Sequence, residues 1–246
     1  MMNHPFGSTR TVVAARHALI APDGHVPSAF PGWVNATAYV MLSPAMGADL
    51  TQILAVFAPG GSANMAADGH EHAIYVESGA CGVELPDGMV ALTATGFIFI
   101  PSETSFRLRC DVDTRITIFR KIFDPHPDLG APPMVHGHAS GVPGEPFLGN
   151  PRALLQTLLP IDPRYDLAMN IFTYQPGAAL PFVETHIMEH GLLMLEGGGI
   201  YRLEDNFYPV QAGDAIWMAP YCPQWFAAIG DAPASYLYYK DIHRIP

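Results

Sequence analysis

The sequence predicts an all-β chain built as two tandem antiparallel β-barrels of jelly-roll type, and three observations point that way. The first is punctuation: 23 glycines and 24 prolines in 246 residues break the chain into short runs suited to strands and tight turns. The second is content, with 49% hydrophobic and 14% charged residues, enough apolar side chain for a sizeable core. The third is self-similarity. "YVESGACGVELPDGMVALTATGFIFIPSETSF" returns as "LMLEGGGIYRLEDNFYPVQAGDAIWMAPYCPQW" at an offset of 118, setting Gly79 against Gly197, Thr95 against Gly213 and Phe106 against Gln224.

Taken in order, residues 1–123 form the expected first domain, an N-terminal arm followed by strands at "ILAVF", "AIYVES", "GVEL", "MVALTA" and "FIFIP". The opening segment lacks the continuous apolar stretch of a secretory leader. Asp87-Gly88, matched by Asp205-Asn206, suggests a hairpin turn in each half. Residues 124–151 read as a linker by their Pro, Gly and His content. His136 and His138 make an HxH pair there, with no rigid scaffold or further ligands in view. "RALLQTLLP", from Arg152, is the one convincing short helix, and it opens the second domain, 152–246. Strands are expected there at "NIFTY", "GLLMLEG", "GIYRL", "YPVQ", "AIWMA" and "SYLYYKD". Alternation is imperfect in both halves, as it is where sheets are covered on both faces.

Composition excludes some partners. A net charge of −11 with only two lysines, Lys121 and Lys240, argues against a nucleic-acid or anionic-membrane surface, which needs clustered cations. Cys81, Cys110 and Cys222 fit neither a disulfide framework nor a CxxC metal site and read as buried thiols of a reducing compartment. No run of eighteen apolar residues suggests a membrane span. The cytoplasm is the expected location.

Chemistry concentrates in "FVETHIMEHG", Phe182 to Gly191. On a strand, Glu184, His186 and His190 share one face, and Glu189 looks the other way. A carboxylate and two imidazoles suit Mn²⁺, Fe²⁺ or Ni²⁺ and can form a facial triad. "APYCPQW", brought back across the sheet, offers Gln224 as a fourth donor. In the first repeat His72 takes the place of His190 and Phe106 that of Gln224. The other two positions fall among Ala66, Ala67, Asp68 and Gly69, with His70 nearby, so the N-terminal barrel is expected to be structural and metal-free.

Lys240 shares a face with Tyr236 and Tyr238, inward if that strand lines the barrel. Tyr201 faces opposite to Ile200 and Arg202. Trp217 and Trp225 read as wall and core aromatics, and Cys222 as a structural thiol beside the site loop.

The pattern E-x-H-x₃-H-x₆-G followed by G-D-x₄-A-x₄-Q resembles the two cupin signatures, H-x-H-x₃₋₄-E-x₆-G and G-x₅-P-x-G-x₂-H. Glu184 stands for the first histidine, His190 for the glutamate, Ala219 for the proline and Gln224 for the last histidine. The three exchanged donors can all still bind a metal. With E-T-H, H-G, Y-R-L, W-M-A-P, P-Q-W and Y-K-D in this order, and the segment from Leu19 to Ala48, the chain resembles the (S)-ureidoglycine aminohydrolase family. Its members are bicupins of purine and allantoin breakdown.

That resemblance implies release of ammonia from (S)-ureidoglycine to give (S)-ureidoglycolate. It implies Mn²⁺ on Glu184, His186, His190 and Gln224 of the C-terminal cupin. It also implies substrate contacts from Tyr201, Tyr236 and Lys240, with Lys240 the catalytic candidate, as proton shuttle or carboxylate anchor. A metal-dependent cupin dioxygenase on Fe²⁺ or Ni²⁺ and a non-catalytic ligand-binding bicupin are the alternatives. Bicupins cover open strand edges by pairing subunits, so a homo-oligomer is expected.

Overall fold

A computed structural model describes residues 9–242. The chain is all-β: the only helical elements among the described residues are the 3₁₀ turns Pro22–Gly24, Pro44–Met46 and Ala139–Gly141. Among those residues, no helix is long and apolar enough to cross a membrane.

Contacts divide the chain into two compact units. One comprises residues 26–142 with 158–166; the other comprises the described residues up to 25, then 143–157 and those from 167 onward.

In the first unit a ten-stranded sheet turns on one long strand, Leu50–Met65. Its first half pairs with Thr114–Ile122 and its second half with Phe106–Cys110, while Val34–Leu42 lies along the other edge. The corner between the halves is "PGG". Gly60 has φ +75°, and a Cβ on Gly61 would stand 2.8 Å from the Ala58 carbonyl oxygen, so the chain bends where side chains are absent. Ile53, Phe57, Ile74, Ile98, Leu108 and Ile118 fill the enclosed core.

In the second unit an eight-stranded sheet runs Val12–Val13, His17–Ile20, Ala215–Met218, His190–Glu196, Ala234–Asp241, Leu167–Tyr174, Asn150–Thr157, Glu145–Phe147. Its partner is a three-stranded sheet of Asn206–Gln211, Gly198–Leu203 and Gln224–Ala228. Phe172, Tyr174, Leu192, Ile216 and Tyr236 from the larger sheet meet Tyr201, Leu203, Val210 and Phe226 from the smaller in one core.

The sequence repeat survives as a repeat of register. Leu85 pairs with Gly88 where Leu203 pairs with Asn206. The Thr95 amide donates to the Val76 carbonyl at 2.8 Å, and the Gly213 amide to the Met194 carbonyl at 2.8 Å. Thr95 and Gly213 both have positive φ, +69° and +91°. The hairpin turns fall on Pro86-Asp87 and Glu204-Asp205, one residue earlier than their Asp-Gly and Asp-Asn pairs suggest.

Three expectations need correction. The predicted helix from Arg152 is instead the strand Asn150–Thr157, paired on one side with Glu145–Phe147 and on the other with Leu167–Tyr174. Two ladders of backbone hydrogen bonds outweigh the intrinsic helix preference of its Ala, Leu, Arg and Gln. The expected linker is partly built into the sheets: Val135–His138 pairs with Gly96–Ile100, leaving His136 and His138 exposed on an edge strand.

The N-terminal arm was expected with the first domain, but it belongs with the second unit. His17–Ile20, buried throughout, pairs with Ala215–Met218. Arg10 grips the buried Asp214 carboxylate through two 2.7 Å hydrogen bonds, and His17 Nδ1 lies 3.0 Å from Glu204. Conversely residues 158–166 group with the first unit, where Lys121 forms a buried ion pair with Asp166.

Candidate active site

The cavity of the second unit, about 190 Å³, is smaller than the ~300 Å³ at which drug-sized pockets begin. Glu184, His186, His190, Tyr201, Gln224, Tyr236, Tyr238 and Lys240 all line it, against an apolar wall that includes Phe147, Leu155, Phe172, Leu192 and Met218. Every site residue named from the sequence therefore faces one space.

The way they get there differs from a simple strand. Glu184 makes only an isolated bridge, exchanging backbone hydrogen bonds with Gln224 at 2.8 and 2.9 Å, and residues 185–189 are irregular until the strand resumes at His190. The Tyr221 amide donates to the His186 carbonyl at 2.7 Å, with Tyr221 itself at φ +61°, so the loop Ala219–Pro223 pins the histidine segment from the opposite side. Glu189 does face away: its carboxylate accepts from Trp217 Nε1 at 2.7 Å, buried on the far side of the sheet. Lys240 lies directly across from His190 in the ladder, as Met218 does on the other flank.

Hydrogen bonding fixes the tautomers of the two imidazoles. His186 Nδ1 lies 3.1 Å from the Met188 carbonyl and His190 Nδ1 3.2 Å from that of Tyr239. A carbonyl only accepts, so each Nδ1 carries the proton of a neutral ring and each Nε2 is bare. Both rings are held neutral. Burial lowers the His190 titration to about 3, helped by His186, and burial with the Lys240 charge lowers that of His186. Yet the two Nε2 atoms stand 3.3 Å apart, lone pair toward lone pair, with Gln224 Nε2 3.2 Å from that of His186. Tyr201 donates to Gln224 Oε1 at 3.4 Å and so orients the amide.

Such an arrangement fits a cation. Bare imidazole nitrogens, each backed by a carbonyl on its other nitrogen, are the usual form of metal-binding histidine. Glu184 sits half-buried on the same wall, its carboxyl pushed up by burial and drawn partly back by Lys240. Among the described residues no three His, Cys, Asp or Glu side chains are already drawn into one cluster. The meeting donors are thus two imidazoles and an amide, and Glu184 lines the same cavity. Glu184, His186, His190 and Gln224 are the residues that could hold an ion.

The remaining polar groups are well buried. The hydroxyls of Tyr174 and Tyr236 lie 3.2 Å apart, and burial raises the titration of both. Trp217 is core, while Trp225 donates from Nε1 to the Leu180 carbonyl at 2.7 Å. Cys222 is buried, and burial raises its thiol, which keeps it protonated. Sequence reasoning missed the apolar wall. Phe172 was legible in principle, since it pairs across the ladder with Tyr236, but Phe147 comes from the segment read as linker.

Residues 170–239 match the family described as the cupin domain. Over 98% of its length the chain is 39% identical to the probable (S)-ureidoglycine aminohydrolase of Oryza sativa, covering 77% of that protein. It is 36% identical to the (S)-ureidoglycine aminohydrolase of Arabidopsis thaliana, with 98% of this chain and 80% of the other covered. The crystal structure of protein Ylba from E. coli superposes with a TM-score of 0.87 at 29% identity, over 97% of this chain and 96% of that one.

Proposed function

The chain belongs to the (S)-ureidoglycine aminohydrolase family of cupin enzymes, and on that premise we propose that it hydrolyses (S)-ureidoglycine to (S)-ureidoglycolate and ammonia in the cavity of the second unit. One observation carries the assignment: two bare imidazole nitrogens meet the Gln224 amide beside Glu184, with Lys240 on the same wall. Glu184, His186, His190 and Gln224 would hold a divalent ion, Mn²⁺ by family resemblance, with Fe²⁺ and Ni²⁺ as alternatives. When bound, it supplies Lewis-acid polarisation and fixes the orientation of the substrate's donors.

The chain's own residues do the rest. In the reaction a C–O bond to water forms and the C–N bond to the amine breaks, the proton given up by water ending on the departing ammonia. Lys240 is the lysine or arginine among the lining residues, and its ammonium is placed to pair with the substrate carboxylate. Tyr201 steadies Gln224, and Tyr236, locked to Tyr174, shapes the floor. Phe147, Leu155 and Phe172 keep the site dry, which strengthens each of these electrostatic contacts. To the same proposal belong a cytoplasmic setting, suggested by three free buried thiols, and a homo-oligomer, suggested by open sheet edges at Val12–Val13 and Glu145–Phe147.

Elemental analysis of protein purified without added metal, followed by an ammonia assay on freshly generated ureidoglycine, tests the proposal. Activity should track bound metal and fall by about 10³-fold in His186→Ala, the scale of several kcal/mol of lost charge stabilisation. Full ammonia release from metal-stripped protein would overturn it. Lys240→Met separates the two roles of that lysine: a carboxylate anchor shows in KM, a proton shuttle in kcat.

A further inference from the structure

The first unit keeps a cavity at the place where the second has its site. It measures about 420 Å³, and Trp33, Thr51, Asn64, Asp68, His72 and Arg120 are among its lining. The correspondence is positional. His72 lies across the ladder from Arg120 as His190 lies across from Lys240. At the offset of 118, Ala66 and Asp68 stand for Glu184 and His186, and Phe106 for Gln224. Ala66 and Phe106 remove two of the four donors, but the cation remains, now as a guanidinium.

Two features show a polar ligand surface. Arg120 uses Nη2 for the Asp68 carboxylate and for His70 Nδ1 at 2.9 Å, while its Nη1 and Nε take no partner among the described residues. Burial pushes the Asp68 carboxyl up, but Arg120 and His70 outweigh it and hold it below its ordinary value, so it is an anion facing the same space. His72 is 1% exposed, packed edge-on to Phe106, and among the described residues neither ring nitrogen has a hydrogen-bond partner. Buried polar atoms are rarely left so, and His72 is part of the lining beside the Arg120–Asp68 pair.

We propose that this cavity is a second, metal-independent binding site for a small carboxylate that also carries N–H donors, of the amino or ureido kind. The carboxylate pairs with the open nitrogens of Arg120. The N–H groups face the Asp68 carboxylate, with His72 in the lining beside it and Phe30 and Trp33 as the apolar wall. An ionised Arg–Asp pair is balanced in charge, so a ligand with both an acceptor anion and donors matches it better than a simple anion. The site is argued without the chemistry assigned to the second unit; only the count of two in the parent, and its fall to one in Lys240→Met, rests on that reading.

Titration calorimetry on the intact protein tests this, with N-carbamoylglycine as probe and acetate and urea as its separate halves. Two sites per chain are expected in the parent, and one in Lys240→Met. Combining Lys240→Met with Arg120→Met should weaken the remaining site by ~10-fold or more, the scale of a lost charge-assisted hydrogen bond. Ala66→Trp, at the exposed rim, should block the same site while leaving the core and Arg120 in place. Acetate and urea should each bind at least ~10-fold more weakly than the probe, by the same arithmetic. The proposal fails if Lys240→Met has no remaining site, if Arg120→Met and Ala66→Trp bind as their parent does, or if acetate matches the probe.

Discussion

His72 and His190 occupy the same place in the two barrels, each opposite a cation on the neighbouring strand and each with its titration lowered to about 3, chiefly by burial. Their surroundings then part. His190 meets a second imidazole and an amide, whereas His72 meets the edge of Phe106 and has Asp68 near the position of that second imidazole. The ladders, the positive-φ turns and the tight glycines at 79 and 197 are held in common. A Cβ on either glycine would stand 2.3 Å from a carbonyl oxygen, that of Asp113 or of Pro233. What the barrel supplies in both cases is a walled space with a buried histidine and a cation; what it does there is set by three or four side chains.

That contrast can be broken first at Gln224. Gln224→Phe gives the second barrel the residue found at Phe106 and removes the amide between His186 and Tyr201. Metal content should fall and ammonia release should drop by about 10²-fold or more, as when a metal site loses a donor or its support. The melting temperature should shift little, since an aromatic is already accommodated at the matching place.

The opposite change sharpens it. Ala66→Glu, Asp68→His and Phe106→Gln together install the second barrel's donor set around His72. Elemental analysis should then show twice the metal of the parent. If the content stays at the parental level, the backbones of the two loops differ more than the register implies.

The smallest expected effect concerns pH. His72 titrates near 6.5 in an unfolded chain and near 3 in the folded one. Between those values the unfolded chain binds the extra proton, so stability is full above about pH 6.5 and declines as pH falls toward 3, by at most ~1.4 kcal/mol per pH unit. His72→Leu should remove that part of the acid sensitivity, seen as a shallower fall in denaturation midpoint between pH 7 and pH 5. An unchanged slope would mean the ring is more open to water than its burial indicates.

Much of this was legible in the residues. The repeat located the hairpins to within one residue, and Glu184, His186, His190 and Gln224, singled out as candidate donors by chemistry and spacing, line one cavity. The reason given for their convergence was incomplete, because residues 185–189 are held by the Tyr221 amide and the Gln224 bridge and not by strand alternation. Asn150–Thr157 was misread because helix-favouring residues carry no mark of the two strands that will flank them. The linker and the arm were misassigned for a related reason. Short polar stretches rich in Pro and Gly reveal local turns, while their strand partners lie far away in sequence and are chosen by the closing of a sheet.

The docking of His17–Ile20 onto Ala215–Met218 reaches into synthesis. Arg10 and Asp214 are 204 residues apart, so the segment made earlier must wait for a strand made much later before it has a place to bind. Until then two edges of the nascent protein stay open. A chain cut between its halves would give a later fragment lacking a border strand, prone to borrow one from a neighbour.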